Sequence, residues 1–96
     1  MTELIDSLER SRFELRLETG AVAFLDYRRS GEGGRVLLLT HAEVPAAQRG
    51  NDVGTRLATA ALDLIRSRGE RIVPRCGFVV SFIRRHPQYA DLITTS

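Results

Sequence analysis

A turn that opens a helix is the stretch of this 96-residue sequence with the clearest potential for chemistry. An apolar segment at 36–44, VLLLTHAEV, runs into the turn, and the helix that follows ends just before Gly69. The first amides of a helix have no partner within it, and the helix dipole favours negative charge there. We therefore predict a site for a phosphate-bearing cofactor. Its predicted contacts are the turn residues Gln48, Arg49, Gly50, Asn51, Asp52, Val53 and Gly54.

Two groups capable of proton transfer, His41 and Glu43, precede this turn. In a strand, residues at this spacing share a face and lie roughly 6.6–6.8 Å apart. Either could act as a base, directly or through water. Glu43 is equally well interpreted as a solvated carboxylate at a strand end, and His41 as a half-buried histidine with its own partner.

Cys76, the single cysteine, follows the segment RIVPR and is the third candidate. It could act as a nucleophile, which requires a thiolate. A lone cysteine is more often a small buried hydrophobe. No histidine or cysteine pattern has zinc-ligand spacing, so no metal site is predicted.

The elements that must position these groups follow from the apolar pattern. Residues 12–18 alternate between apolar and charged, which is typical of a half-buried strand. Strands are also predicted at 21–29 and 36–44, and the short links make the three an antiparallel meander. For residues 2–11 the pattern leaves a short helix and an edge strand open.

The second half of the chain alternates helix and strand. A helix at 52–68 has its predicted apolar stripe at Val53, Leu57, Ala60, Ala61, Leu64 and Ile65, with Asn51 or Asp52 as its N-cap and Gly69 at its end. The crossover makes a strand at 71–76 parallel to the third strand, and Pro74 predicts that this pair splays apart. A C-terminal helix follows at 77–85. The predicted fold is a mixed α/β (α+β) domain spanning residues 1–96.

The charge and composition of the chain limit the classes of partner that it could bind. The net charge is +2 with no lysine, and no run of arginines exceeds two, which counts against nucleic acid as a partner. No apolar run approaches the roughly 18–20 residues that span a membrane. The acidic N-terminus does not resemble a signal peptide, and one cysteine fits a reducing compartment. We expect a cytoplasmic protein with no membrane partner.

Four segments resemble the GNAT superfamily of N-acetyltransferases, and in particular its small stand-alone members. They are His41-Ala42-Glu43-Val44-Pro45, the turn from Gln48 to Thr55, Val73-Pro74-Arg75-Cys76 and His86-Pro87-Gln88-Tyr89. The likeness spans about residues 12–93. It implies that the turn, up to Thr55, holds the pyrophosphate of acetyl-CoA and that the pantetheine arm lies between the strands ending at Val44 and Cys76, paired with the edge of the first. For the acetyl transfer that this implies, we predict Glu43, His41 and Cys76 as catalytic residues, with Glu43 or His41 as the base and Cys76 as the proton donor to the CoA thiolate or as a nucleophile.

The resemblance implies an acetyl-CoA-dependent N-acetyltransferase in which a primary amine attacks the thioester directly. The family turn has the pattern Arg/Gln-x-x-Gly-x-Gly/Ala, and Asp52 stands where the inner glycine belongs. A carboxylate beside a pyrophosphate is unfavourable, although aspartate tolerates left-handed backbone angles. The alternative is a catalytically weak CoA-binding or protein-interaction module. A chain this short favours a macromolecular amine or a completing partner, and we expect a monomer or small homo-oligomer.

Overall fold

Five strands and two helices make up the described part of the chain. A computed structural model describes residues 3–46 and 52–94. The strands are β1 (Glu3–Ser7), β2 (Arg12–Arg16), β3 (Val22–Ser30), β4 (Val36–Glu43) and β5 (Arg71–Pro74), and the helices are α1 (Val53–Ser67) and α2 (Gly77–Arg85). Short 3₁₀ turns cover Glu32–Gly34 and Pro87–Leu92.

The sheet has the strand order β1-β2-β3-β4-β5. The first four strands are antiparallel neighbours, and β5 is parallel to β4. The predicted mixed α/β class is confirmed, as is the parallel crossover through α1. Residues 3–7 form an edge strand rather than a helix, so the antiparallel meander has four strands and not the three that the pattern predicted.

One face of the sheet, the helical face, carries the core. Its strand side chains, which are at most 3% exposed, are Phe13, Leu15, Ala23, Leu25, Tyr27, Leu37, Leu39 and Ile72. The buried residues of both helices join the same hydrophobic core. In α1 these are Val53, Leu57, Ala58, Ala61, Leu62 and Ile65, so the buried stripe is rotated from the predicted one, and Ala60 and Leu64 are half-buried.

The opposite side of the sheet, the open face, alternates with the core residues along each strand. Its side chains are mainly half-buried or exposed, and they include Ile5, Arg12, Phe24, Asp26, Leu38, His41, Glu43 and Val73. Glu14 is the buried polar exception, at 6% exposure. A sheet with one solvated face is common among antiparallel sheets, because each strand needs only one apolar side.

A β-bulge at Thr40 decides which residues of β4 reach the open face. Asp26 pairs with His41 but the next residue, Tyr27, pairs with Leu39, so Thr40 is the extra residue. A bulge shifts the two-residue alternation by one position. Leu37 and Leu39 therefore face the core, and beyond the bulge His41 and Glu43 lie on the open face.

The ladder between β4 and β5 is short. It runs from Val36↔Arg71 to Leu39↔Pro74, and the Arg75 amide donates one more hydrogen bond to the Leu39 carbonyl at 2.9 Å. The nitrogen of Pro74 points away from β4, because the two-residue alternation directs the amides of Arg71 and Arg75, and not the nitrogen of residue 74, towards β4. In the described part of the chain, His41–Glu43 then pair only with β3. The pairing of β4 with β5 thus ends at Pro74 as predicted, but the missing proline amide is not the cause.

The two helices meet closely beside this gap. A Cβ placed on Gly54 would lie 3.0 Å from Phe78 Cε1 and 3.8 Å from a γ-methyl of Val44. A side chain at position 54 would require the Phe78 ring to shift by a few tenths of an ångström, so glycine lets the first turn of α1 approach α2 this closely. At its other end, α1 closes on Gly69 at φ 71°, with the Glu70 amide donating to the Ile65 carbonyl as in a Schellman motif.

A polar cluster ties the edge strand to the end of α1. The Tyr27 hydroxyl donates to Asp6 Oδ1 at 2.5 Å, and Arg68 NH1 donates to Asp6 Oδ2 at 2.7 Å. The Asp6 side chain is 8% exposed, so both partners compensate a nearly buried carboxylate. This cluster joins the edge strand β1 to the C-terminal end of α1.

We expect Gly54→Ala to lower the free energy of unfolding by about 1–3 kcal/mol, because the new methyl group would overpack Phe78. In a Phe78→Leu background the same change should be neutral or stabilising, since alanine is the better helix former. Gly77→Ala is the matched control, because nothing lies within 4 Å of a Cβ there. Chemical denaturation of the four variants measures the coupling, and equal costs in both backgrounds would contradict the packing.

We expect stability to fall as the pH rises from about 10 towards 12. Burial and the hydrogen bond to Asp6 raise the pKa of Tyr27 from 10.0 to about 12, and burial and Asp63 raise the pKa of Tyr89 as well. A folded pKa above the unfolded value gives stability that is complete below the unfolded pKa and lost above it. The chain has no lysine to titrate in this window. Denaturation across this pH range should show a shallower decline for Tyr27→Phe, and an unchanged decline would contradict the assignment.

Candidate functional site

The start of α1 lies beside the β4–β5 gap, and among the described residues no side chain caps its first backbone amides. Asp52 occupies the N-cap position with φ 58° and ψ 16°, a left-handed conformation, and its side chain makes no capping hydrogen bond. Its carbonyl accepts the first helical bond, from the Arg56 amide at 2.9 Å. The predicted role of Asp52 as a side-chain cap is therefore not observed, and its predicted tolerance of the left-handed region is confirmed.

The predicted cofactor contacts divide into two groups. Gln48, Arg49, Gly50 and Asn51 lie outside the described residues. Val44, at the end of β4, comes close to Gly54 in the first turn of α1, and Phe78 of α2 closes the same corner. Phe78 was not predicted, because in sequence it is one apolar residue of an amphipathic helix and only the folded chain brings it to Gly54.

His41 and Glu43 lie together on the open face, as their spacing predicted. His41 Nε2 is 3.7 Å from Glu43 Oε2, and the two side chains are 61% and 57% exposed. His41 is thus more exposed than the half-buried histidine considered from the sequence. Its ring centroid lies 6.1 Å from that of Phe24 on β3. Both groups can reach a molecule that approaches from solvent.

Cys76 stands on the other side of the gap. The strand β5 ends at Pro74, two residues earlier than predicted, and Cys76 occupies the N-cap position of α2 with extended backbone angles. Its carbonyl accepts a hydrogen bond from the Val80 amide at 3.1 Å. The residue is half-buried and packs against the hydrophobic core.

A charged platform on the open face was not predicted from the sequence. The guanidinium carbon of Arg12 lies 4.3 Å from the ring centroid of Phe24, and Arg12 Nε donates to Glu14 Oε2 at 2.7 Å. Phe24 is the cross-strand partner of Glu43, so this platform adjoins the His41–Glu43 pair. The only sequence signal was the alternation of β2, which placed Arg12 outside the core without naming its neighbours.

The C-terminal motif residues hold the fold together. The Tyr89 hydroxyl donates to Asp63 at 2.7 Å, and the His86 ring stacks on Phe82 at 4.2 Å. Arg84 and Arg85 are exposed at the end of α2.

Within residues 3–46 and 52–94, no group of three or more potential ligands is placed to hold a metal ion. In the same ranges, no helix has the length and apolar character needed to traverse a bilayer.

Comparisons with known proteins agree on one family. The family model described as GCN5-related N-acetyl-transferase matches residues 12–92. Protein NATD1 of zebrafish (Danio rerio) is 31% identical over 90 residues, which cover 88% of this chain and 78% of the relative. Protein NATD1 of cattle (Bos taurus) is 33% identical over 87 residues, covering 85% and 74%.

The fold also matches a solved structure. The NMR solution structure of a GCN5-like protein from Staphylococcus aureus aligns with a TM-score of 0.67 and covers 98% of this chain and 89% of that one. At 20% identity this likeness concerns the fold alone. The sequence matches carry the assignment further: the chain belongs to the GCN5-related N-acetyltransferase family.

Proposed function

We propose that this protein is an acetyl-CoA-dependent N-acetyltransferase that acts on a primary amine. The observation that carries the proposal is the divergence of β4 and β5 after Leu39 and Pro74, beside a helix start without a side-chain cap. The single cysteine fits the same activity in the reducing cytoplasm.

The described residues fit the cofactor. The β4 edge at Thr40–Glu43 has no neighbouring strand on the β5 side within the described residues, so its backbone groups can pair with the amides of a pantetheine arm. The amides of Val53, Gly54 and Thr55 can receive the pyrophosphate. A side chain at Gly54 would crowd Phe78 in this corner. Bound acetyl-CoA supplies the acetyl group as a thioester.

Side chains of the protein then accept and donate the protons of the reaction. The amine nitrogen forms the new bond to the acetyl carbon as the carbon–sulfur bond breaks. Glu43 takes a proton from the amine, directly or through His41, whose Nε2 is 3.7 Å away. Cys76, across the gap, is the candidate donor of the proton that the departing thiolate takes up.

We expect acetyl-CoA to raise the melting temperature. A ligand at 100 times its Kd stabilises the folded state by about 2.7 kcal/mol, and each kcal/mol raises Tm by about 4–8 °C in a domain of this size. Differential scanning fluorimetry with millimolar acetyl-CoA measures the shift, with an unrelated nucleotide as control. An unchanged Tm would contradict the proposal that acetyl-CoA is the cofactor.

We expect Asp52→Gly to tighten acetyl-CoA binding about fivefold, because it removes a carboxylate beside the pyrophosphate while glycine keeps the left-handed backbone. Asp52→Asn is the matched control, since it removes only the charge and should give a similar gain. Both gains should shrink at high salt. Isothermal titration calorimetry measures Kd. Weaker binding in both variants would contradict the expected repulsion and would mean that the Asp52 carboxylate contributes to acetyl-CoA binding.

We expect Glu43→Gln to slow amine-dependent thiol release by about 10²-fold with little change in KM for acetyl-CoA, since the variant lacks the base. His41→Asn should have a smaller effect if the histidine only relays the proton. Cys76→Ala tests the proton donor. Thiol release that is unaffected by all three changes would contradict the assignment of these residues.

A further inference from the structure

The open face carries an apolar patch with an arginine rim, on β3, β4 and β5 at the level where β4 begins. Arg28, Leu38 and Val73 pair across the three strands and therefore share this face. Arg75 follows Val73 by two residues, and its amide still donates to β4, so alternation places Arg75 on the same face. The members of this arginine-rimmed patch are Val36, Leu38 and Val73 in the centre and Arg28, Arg71 and Arg75 at the rim.

No helix of the described chain covers the centre of the patch. Both helices join the core on the helical face, where the buried hydrophobic side chains of the strands lie. Val36, Leu38 and Val73 are only half-buried. A solvated sheet face usually carries polar side chains. Adjacent apolar residues rimmed by charged ones are instead typical of a protein-interaction surface.

The rim of the patch carries positive charge that the described residues leave uncompensated. Arg28 and Arg75 are exposed, and within the described ranges neither guanidinium group has a hydrogen bond or an ion pair. Arg71 NH1 donates to the backbone carbonyl of Asp91, which is a neutral acceptor. Each of the three arginines can therefore still attract an anion.

The carboxylates elsewhere on the open face do not cancel this charge. Asp26 precedes Arg28 by two residues, but it lies directly across from Arg12 on β2, so a cation outside the patch faces it. Glu43 lies at the other end of β4, with His41 Nε2 at 3.7 Å. A ligand that binds the rim must bring its own carboxylates, which the planar guanidinium fork can hold with two hydrogen bonds.

The centre of the patch favours an acidic protein segment over nucleic acid. Surfaces that bind single strands present aromatic rings on which the bases stack, whereas this centre is aliphatic. Asp26 and Glu43 on the same face would repel a phosphate chain that continued beyond the rim. Apolar side chains of a protein segment would gain stability by covering Leu38 and Val73.

The arginine-rimmed patch adjoins the residues proposed for catalysis. Leu38 precedes Glu43 by five residues on β4, so at most about 17 Å separates them at the rise of a strand. His41 and Glu43 are 61% and 57% exposed, which is far more open than a pocket that encloses a small ligand. A polypeptide segment of about five residues can span this distance.

We infer that the arginine-rimmed patch binds an acidic and apolar protein segment, and that a lysine of this segment is the acceptor of the acetyl group. The inference rests on the proposed function, because it names the class of the second substrate. Apolar side chains of the segment pack on Leu38 and Val73, and its carboxylates bind Arg28 and Arg75. The lysine, within about five residues of these anchors, then reaches Glu43.

The transfer itself is the one already proposed. The lysine nitrogen forms a bond to the acetyl carbon, and the carbon–sulfur bond of the thioester breaks. One proton of the amine passes to Glu43, and the departing CoA thiolate takes up one proton. Arg28 and Arg75 touch none of the reacting atoms, so they are specificity-determining residues and should act on KM rather than on kcat.

Three acetyl-capped peptides with one central lysine test the inference. The first is flanked on each side by two leucines and two glutamates, the second has glutamines for the glutamates, and the third has serines for the leucines. We expect kcat/KM for the first to exceed that for either of the others by about tenfold, which is the effect of one charge-assisted contact. The advantage over the glutamine peptide should shrink at high salt. Equal kcat/KM for all three would overturn the inference.

Substitutions at the rim identify the contacts. Arg28→Gln/Arg75→Gln should abolish the preference for glutamate through KM, with kcat nearly unchanged. Val73→Thr should reduce the preference for leucine. Arg16→Gln is the matched control, because Arg16 is another exposed arginine of the sheet and lies two strands away from Glu43. A preference that survives in the double variant would contradict the assignment.

A charge reversal separates recognition from any loss of folding. Arg28→Glu/Arg75→Glu should prefer a fourth peptide, which has arginines in place of the glutamates, over the glutamate peptide. Damage to the fold would lower the activity on both peptides and would not exchange their order. An unchanged order in a variant with wild-type Tm would overturn the inference.

A binding measurement distinguishes failure of this inference from failure of the proposed reaction. In ¹⁵N-labelled protein without acetyl-CoA, the glutamate peptide with norleucine for lysine should shift the amide signals of Arg28, Leu38 and Val73. Such shifts without thiol release from any peptide would support the surface and overturn the acetyl transfer. Thiol release at equal rates with no shift would support the transfer and overturn the surface. Shifts from a single-stranded oligonucleotide but not from the peptide would identify a nucleic-acid surface and also overturn the inference.

Discussion

In β4, Thr40 has no partner across the ladder to β3, and the side chains before and after it point to opposite faces of the sheet. The extra residue lets one strand serve two purposes. Leu37 and Leu39 fill the core at 0% exposure, and a few residues later His41 and Glu43 are open to solvent. A strand without the bulge would direct His41 to the side occupied by Leu39, against the helices.

The bulge lies next to the point where β5 leaves the sheet. Pro74 is the last residue paired with β4, and its partner, Leu39, immediately precedes Thr40. The change of face and the opening of the gap therefore occur at the same level of the sheet. This arrangement brings the edge of β4 at His41–Glu43, which has no neighbour on the β5 side among the described residues, into one neighbourhood with the start of α1 and two titratable side chains.

Regular periodicity explains what the sequence could predict. The range 77–85 matches α2 because its apolar residues recur at helical spacing, and Gly69 ends α1 through a well-defined motif. The segment 36–44 is apolar on both sides at its start, so it contains no alternation from which a bulge could be found. Leu4 and Ile5 are adjacent and fit either a helix or a strand, and only pairing with β2 selects the strand.

The sequence predicted individual residues of the site better than it predicted how they lie relative to one another. Spacing alone placed His41 and Glu43 on one face, since alternation fixes that relation locally. The platform of Arg12, Glu14 and Phe24 depends on the register between β2 and β3, which the sequence does not state. The same holds for the approach of Phe78 to Gly54, where residues 24 positions apart meet. Long-range contacts of this kind follow from the assembled fold.

The two borders of the sheet differ. At β5, the Thr94 amide donates to the Ile72 carbonyl at 2.9 Å, and Ile93 bridges to Ile72, so returning chain covers that border. At β1, no strand of the described chain lies on the outer side, and such a border is where self-association through strand addition begins. A copy added there would be separated from the β4–β5 opening by four strands, β1 to β4. Growth of the sheet by this route would leave the proposed acetyl-CoA site uncovered, so self-association at β1 and the proposed reaction would use separate parts of the sheet.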